Sequence, residues 1–254
     1  MSSELLDHAR VLRHAGLDAV REVAWRTYLQ RVPAGDADPV LDADWDLLVV
    51  LDACRADLFE EVVGGGDYEG LDDRRTRTSP GSSSTEWLSA VFGDADDAAL
   101  ESLAYVTGNP YSAELLDGER FGWFEEVWRD GWDDDLGTVP PRPLTDRTVS
   151  LLREHDPERT VVHYMQPHFP SLADGDAGDE GIALAEFGDR PMSVWNEIRV
   201  GRRTVEDVWA SYRRNLELVL ADVQLLRENV DADRVVVTAD HGNAFGERSL
   251  YEIG

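Results

Sequence analysis

Four short runs of Val and Leu without polar alternation punctuate the chain: Leu47–Leu51, Leu103–Thr107, Thr160–Tyr164 and Val235–Thr238. Runs of this length and kind predict strands covered on both faces, as in a parallel sheet. Between them, helical segments are predicted around Ser84–Phe92, Glu114–Arg129, Thr145–Glu154 and from Val205 to Val230. Strands separated by helices build βαβ units. The pattern therefore predicts an α/β fold with a mainly parallel central sheet and helices on both faces. Phe124 and Trp128, four residues apart, read as the packing face of a helix rather than a platform for sugars. Ahead of the sheet, Leu5, Leu12, Val20, Val23 and Leu29 recur at helix-compatible spacing, and Gly16 separates two helices. Pro33 to Pro39 forms a polar link, giving a helical extension over residues 1–40 and a main domain over 41–254. Asp174–Gly181, rich in Asp and Gly, reads as a surface loop, and no internal repeat is found.

Composition narrows the class. With 254 residues, 42% of them hydrophobic, the chain can form one large domain with a well-buried core. Its single cysteine, Cys54, allows no internal disulfide and fits a reducing compartment. No basic segment followed by an apolar run marks a secretory signal, and no run reaches the ~18 apolar residues of a membrane span. The expected location is cytoplasmic.

Charge adds more. Asp and Glu number 52 against 24 basic residues, all of them arginine, for a net charge of −28. Such charge repels itself in dilute buffer, but at molar salt the Debye length is only ~3 Å and the repulsion is screened. An acidic surface without lysine predicts a protein of a salt-loaded cytoplasm. It also argues against nucleic-acid partners, because no broad basic surface is available for phosphates. Residues 1–31 differ, with five arginines and four acids. Near neutrality predicts that they pack on the acidic domain, or dock on a protein partner or a membrane surface.

Three predicted strands run into polar clusters. Leu47–Leu51 leads to Asp52, Arg55 and Asp57; Thr160–Tyr164 contains His163 and leads to His168; Val235–Thr238 leads to Asp240, His241 and Asn243. The carboxyl ends of parallel strands face one side, where ligands bind. Asp52, Asp240 and His241 thus become candidate ligands for a divalent cation, Zn²⁺, Mn²⁺ or Mg²⁺. A hydroxyl nucleophile is offered by Ser82, Ser83 and Ser84, which follow Pro80-Gly81 and open an apolar-periodic segment. At least one of them reads as a helix N-cap and another as the nucleophile. Arg55 either meets a substrate anion or pairs with Asp57. Gly64-Gly65-Gly66 lacks the Lys-Ser/Thr of a phosphate loop.

The order Asp-x-x-Arg-x-Asp after a strand, a hydroxyl-bearing turn before a helix, His-x-x-x-x-His-x-Pro, and Thr-Ala-Asp-His-Gly resembles the alkaline phosphatase superfamily, and most of all its sulfatase-like branch with archaeal members. The resemblance covers roughly residues 44–254 and implies the corresponding fold. It implies Asp52, Asp240 and His241 as metal ligands, Ser82 as the favoured nucleophile with Ser83 and Ser84 as alternatives, and His168 as a contact to the transferred group. His163 fits the same stretch as a substrate contact. Trp209, Tyr212, Asn215, Leu216 and Asp222 resemble the long helix that precedes the last motif. Two departures stand out. The serines lack the Pro-Ser-Arg sequence that follows a formylglycine precursor, which argues for phosphoryl-type transfer through a hydroxyl. Family members usually continue past Asp-His-Gly, so the C-terminus reads as incomplete or as lacking a second metal position. The implied function is a metal-dependent hydrolase or transferase acting on anionic phosphate or sulfate esters. The alternative is a catalytically inactive relative that binds metal or a partner.

Overall fold

The computed structural model describes residues 21, 24, 25, 28, 37, 39–66, 68–172, 184–187, 193–199 and 201–251. Its centre is a five-stranded, all-parallel sheet in the order β3-β2-β4-β1-β5. The strands are β1 Leu47–Leu51, β2 Leu103–Thr107, β3 Trp123–Glu126, β4 Arg159–Tyr164 and β5 Val235–Ala239. Eight α-helical segments are described: α1 Ala56–Gly65, α2 Ser84–Leu88, α3 Asp97–Glu101, α4 Ser112–Leu115, α5 Trp128–Gly131, α6 Pro141–His155, α7 Val194–Arg199 and α8 Val205–Asn229.

The unbroken apolar runs have a simple cause. Successive strand residues point to opposite faces, and in β1, β2 and β4 each face is covered by its own core, while β5 at the sheet edge stays partly exposed. Leu47, Val49 and Leu51 join Val106, Val162 and Tyr164 under α1, α6 and α8. Leu48 and Val50 join Tyr105 and Val161 under Trp87, Leu88 and Phe92 on the other side. Helix α8 is fastened at its start by Thr204, whose hydroxyl accepts from Asp207 N at 3.1 Å, with Glu206 and Asp207 complementing the helix dipole. Leu216, Val219, Leu220, Val223 and Leu226 on α8 are fully buried. Each contributes roughly 1.5–3 kcal/mol of apolar burial. The register sets Leu51 beside both Tyr164 and Ala239, so the residues after β1, β4 and β5 emerge side by side.

The fold is the parallel α/β architecture expected, with local corrections. Glu114–Arg129 is not one helix: it holds α4, a 3-10 turn at Gly118–Arg120, strand β3 and the start of α5. Gly122 lies so close to Glu101 that a Cβ would sit 2.4 Å from its carbonyl oxygen, an approach only glycine permits. Phe124 therefore lies on an edge strand, 5.8 Å from the ring of Tyr105 and 5.2 Å from that of Phe121, while Trp128 starts a different element. Helix α1 follows a polar cluster and has no counterpart among the expected helices, and α6 begins four residues earlier than predicted, at Pro141. Of the expected N-terminal helices only Arg21, Ala24, Trp25 and Tyr28 are described, all helical; the guanidinium of Arg248 lies 4.3 Å from the Trp25 ring. The Asp174–Gly181 loop lies outside the described residues. Among the described residues no helix is long and apolar enough to cross a membrane.

Candidate active site

The turns after β1 and β5 bring Asp52, Asp240 and His241 together, each with one ligand atom within 4.8 Å of the others, and all three are buried. His241 Nε2 lies 3.5 Å from Asp52 Oδ1 and 3.8 Å from Asp240 Oδ2. The remaining oxygen of Asp240, Oδ1, is held by the backbone N–H groups of Ala53 at 2.8 Å and His241 at 2.7 Å. The Ser79 hydroxyl donates to the Asp240 carbonyl, which ties the serine-rich turn to the end of β5.

Ser84 is the serine that reaches this cluster. Its hydroxyl lies 2.7 Å from Asp240 Oδ2 and 3.2 Å from Asp52 Oδ2, and the residue is 6% exposed. Ser82, expected to be the nucleophile, instead turns outward and bonds Glu86 Oε2 through both its N–H and its hydroxyl, each at 2.8 Å. Ser83 is the N-cap of α2 and accepts from Glu86 N at 3.3 Å. The turn places consecutive serines in three different roles, and only the third faces the carboxylates.

A residue that the motifs did not single out completes the arrangement. Asn109, buried just past β2, donates from Nδ2 to Asp52 Oδ2 at 3.1 Å. It is fixed in turn by Thr107 Oγ1, which accepts from Asn109 N, and by the N–H of Tyr111, which donates to Asn109 Oδ1. The signal that could have found it is the one used for the other sites: a polar side chain just past the end of a buried strand.

His163 lies inside β4 and beside the cluster. Its Nδ1 meets the Tyr105 hydroxyl at 3.0 Å, and its Nε2 stands 3.5 Å from Asp240 Oδ2, longer than a hydrogen bond. His168 is joined to the site by its backbone, donating from N to the Asp52 carbonyl at 3.2 Å, while its ring turns to the carbonyl of Phe169. Arg55, expected either to meet a substrate anion or to pair with Asp57, is engaged within the protein. It makes a two-pronged pair with Asp57 at 2.8 and 2.6 Å, and its Nη1 bonds Glu247 at 2.8 Å and the Asn243 carbonyl at 2.9 Å. The guanidinium also lies over Trp209 and Phe245. Cys54 is buried, and burial, with Asp240 and Asp57 nearby, pushes its thiol far above the ordinary range, which disfavours the thiolate.

The charge state follows from the geometry. Burial alone would lower the His241 pKa, but Asp240 and Asp52 outweigh it and raise it to about 9. Burial would likewise raise Asp240; the charge of His241, then His163 and the Ser84 hydroxyl, hold it well below the usual carboxylate range instead. In the metal-free centre Asp240 and His241 thus each favour the charged form of the other. Asp52 Oδ1 and His163 Nε2 are both buried without a hydrogen-bond partner, an expensive arrangement unless a cation completes it. Ligands of a tetrahedral site with ~2.0–2.1 Å bonds lie about 3.3 Å apart. His241 Nε2, at 3.5 Å from Asp52 Oδ1 and 3.8 Å from Asp240 Oδ2, lies near that spacing from both carboxylates. Two carboxylates with one imidazole suit Zn²⁺ or Mn²⁺ better than Mg²⁺, which prefers oxygen alone.

No family model matches the chain, and no curated protein matches it either. Solved structures do. The integral membrane protein lipooligosaccharide phosphoethanolamine transferase A (EptA) from Neisseria meningitidis is 18% identical, with a TM-score of 0.54, over 87% of this chain and 45% of that one. The soluble domain of the same transferase is 17% identical, with a TM-score of 0.51, over 81% of this chain and 69% of that one. The chain therefore spans less than half the length of the full transferase. At these identities the likeness establishes the fold, and that fold is the alkaline phosphatase/sulfatase-like one that the motifs of this chain resemble.

Proposed function

We propose that this chain is a metal-dependent enzyme that transfers a phosphoryl-type group from an ester to water or to an acceptor alcohol by way of Ser84. The observation that carries the reading is a buried hydroxyl 2.7 and 3.2 Å from two carboxylates that share a cluster with His241. Asp52, Asp240 and His241 would hold the metal. Bound there, a divalent cation would supply Lewis-acid stabilisation and favour ionisation of a neighbouring hydroxyl.

The residues of the chain account for the rest. The Ser84 proton, directed at Asp240 Oδ2 in the free protein, passes through solvent to the leaving oxygen as Oγ bonds to phosphorus and the bond to that oxygen breaks, so the leaving group departs as an alcohol. Water or a second alcohol then attacks phosphorus and releases the Ser84 hydroxyl. Asn109 holds Asp52 in place, and His163, fully buried beside Asp240, borders the centre from β4. Phosphate is favoured over sulfate on two grounds. Cys54 is inert and no formylglycine signature surrounds the serines, and the solved neighbours are named as transferases of phosphoethanolamine.

Turnover of an aryl phosphate and an aryl sulfate in molar KCl tests the reading. Activity should require added Mn²⁺ or Zn²⁺, favour the phosphate and vanish with a chelator. Ser84→Ala should lower turnover by at least about 10³-fold, whereas Ser82→Ala and Ser83→Ala retain it. Equal activity of Ser84→Ala and wild type would refute the covalent route.

A further inference from the structure

The long helix α8 meets the site without supplying a ligand. Tyr212 is fully buried, and its hydroxyl donates to the Ala53 carbonyl while accepting from Arg55 N at 3.1 Å. One phenol thus spans the turn after β1 from both sides. Within that turn Ala53 adopts a left-handed conformation, φ 58°, which a residue with a Cβ rarely occupies unless its surroundings impose it. The conformation has a visible result: the Ala53 N–H points at Asp240 Oδ1, 2.8 Å away. Ala53 is also the residue next to Asp52. The turn therefore joins the two carboxylates through one backbone unit, and Tyr212 holds that unit.

The neighbours of Tyr212 on the same helix face act on the adjoining loops. Trp209 carries the Arg55 guanidinium at 5.4 Å and packs on Phe245 at 5.0 Å, so it braces the turn after β5. Asn215 donates from Nδ2 to the carbonyls of Pro167 at 3.1 Å and His168 at 3.0 Å, and its Oδ1 accepts from Leu172 N at 3.1 Å. Residues three apart on a helix share a face. Trp209, Tyr212 and Asn215 thus brace the loops after β5, β1 and β4 in turn.

We propose that Tyr212 is a positioning residue for the Asp52–Asp240–His241 centre, fixing the turn at Ala53 and through it the spacing of the two carboxylates. The proposal rests on the reading of that centre as a metal site. Groups that orient metal ligands without touching the metal typically change its affinity by about 10–100-fold when removed.

Tyr212→Phe removes the hydroxyl and leaves the ring, so contacts with Phe169, Phe245 and Trp209 survive. Tyr164→Phe is the control: it deletes an equally buried hydroxyl, bonded to Thr145 Oγ1 at 2.8 Å and away from the turn. Binding of Mn²⁺ by calorimetry and amide hydrogen exchange at residues 53–55 are measured for both variants and wild type in molar KCl. Tyr212→Phe should weaken Mn²⁺ binding by about 10–100-fold and speed exchange at 53–55, with an unchanged circular dichroism spectrum. Tyr164→Phe should do neither. If Tyr212→Phe binds Mn²⁺ like wild type, or if both variants weaken binding alike, the positioning role is overturned. If wild type itself binds no Mn²⁺, the metal reading falls, and exchange at 53–55 still decides whether Tyr212 holds the turn.

Discussion

At the scale of single residues, the proposed metal site makes a proton and a metal compete for the same set of atoms. His241, raised from 6.5 to about 9, carries a proton at neutral pH when no metal is bound. Because its folded pKa lies above its ordinary value, the proton stabilises the metal-free fold fully below about pH 6.5. That contribution is lost as the pH rises through about 9. A metal must displace the proton, so its affinity should strengthen by up to about tenfold per pH unit and level off near 9. Calorimetric titration with Mn²⁺ at several pH values between about 6.5 and 9 checks this. An affinity that does not change with pH would show that His241 is either neutral or not a ligand. The cluster of Asp52, Asp240 and His241 was legible because its residues follow strands directly. Which serine faces it was not, because three serines in a row have the same local chemistry and only the path of the turn separates N-cap from cluster. Asn109 hid for a related reason: Gly-Asn-Pro has the composition of an ordinary turn.

At the scale of elements, position is set by a few close approaches. Gly81 lets the serine turn fold back on α2: a Cβ there would meet Trp87 N at 2.4 Å and the Glu86 carbonyl carbon at 2.8 Å, both backbone atoms that cannot rotate away. Gly81→Ala should therefore cost roughly 1–3 kcal/mol, as overpacking usually does, and displace Ser84 from Asp240. Thermal melting and aryl phosphate turnover read the two effects, and a variant with wild-type activity would show that the turn tolerates the shift. The runs of β1, β2 and β4 read correctly as strands because burial on both faces leaves no room for polar alternation, and β5 read as one by its valines although it is a half-exposed edge strand. Strand β3 escaped because Trp-Phe-Glu-Glu is half-buried at a sheet edge and carries no such run. Helix α1 escaped because its buried apolar positions, Leu58, Val62 and Val63, are few and run directly into Gly64-Gly65-Gly66.

At the scale of the molecule, charge and site belong to one account. A net charge of −28 on 254 residues opposes compaction unless salt screens it. The melting temperature should accordingly climb steeply between ~0.1 and ~2 M KCl as the Debye length falls below the spacing of surface carboxylates. Full stability in dilute buffer would overturn the reading of the composition as salt adaptation. Many acidic groups are already paired with arginine, as Asp57 and Glu247 are with Arg55, and such exposed pairs contribute little each. The buried carboxylates Asp52 and Asp240 are different in kind, since they are withdrawn from solvent and share one cluster with His241. Sheet, turns and α8 serve to hold those two groups at the end of neighbouring strands with Ser84 against them. The most direct test is to mix the Mn²⁺-loaded protein with an aryl phosphate in molar KCl, quench within the first turnovers, and map the modified peptide by mass spectrometry. The account predicts one phosphoryl group on Ser84 and none when Ser84 is alanine. Turnover with no covalent adduct on any serine of the 82–84 turn, or an adduct on Ser82 or Ser83, would contradict it.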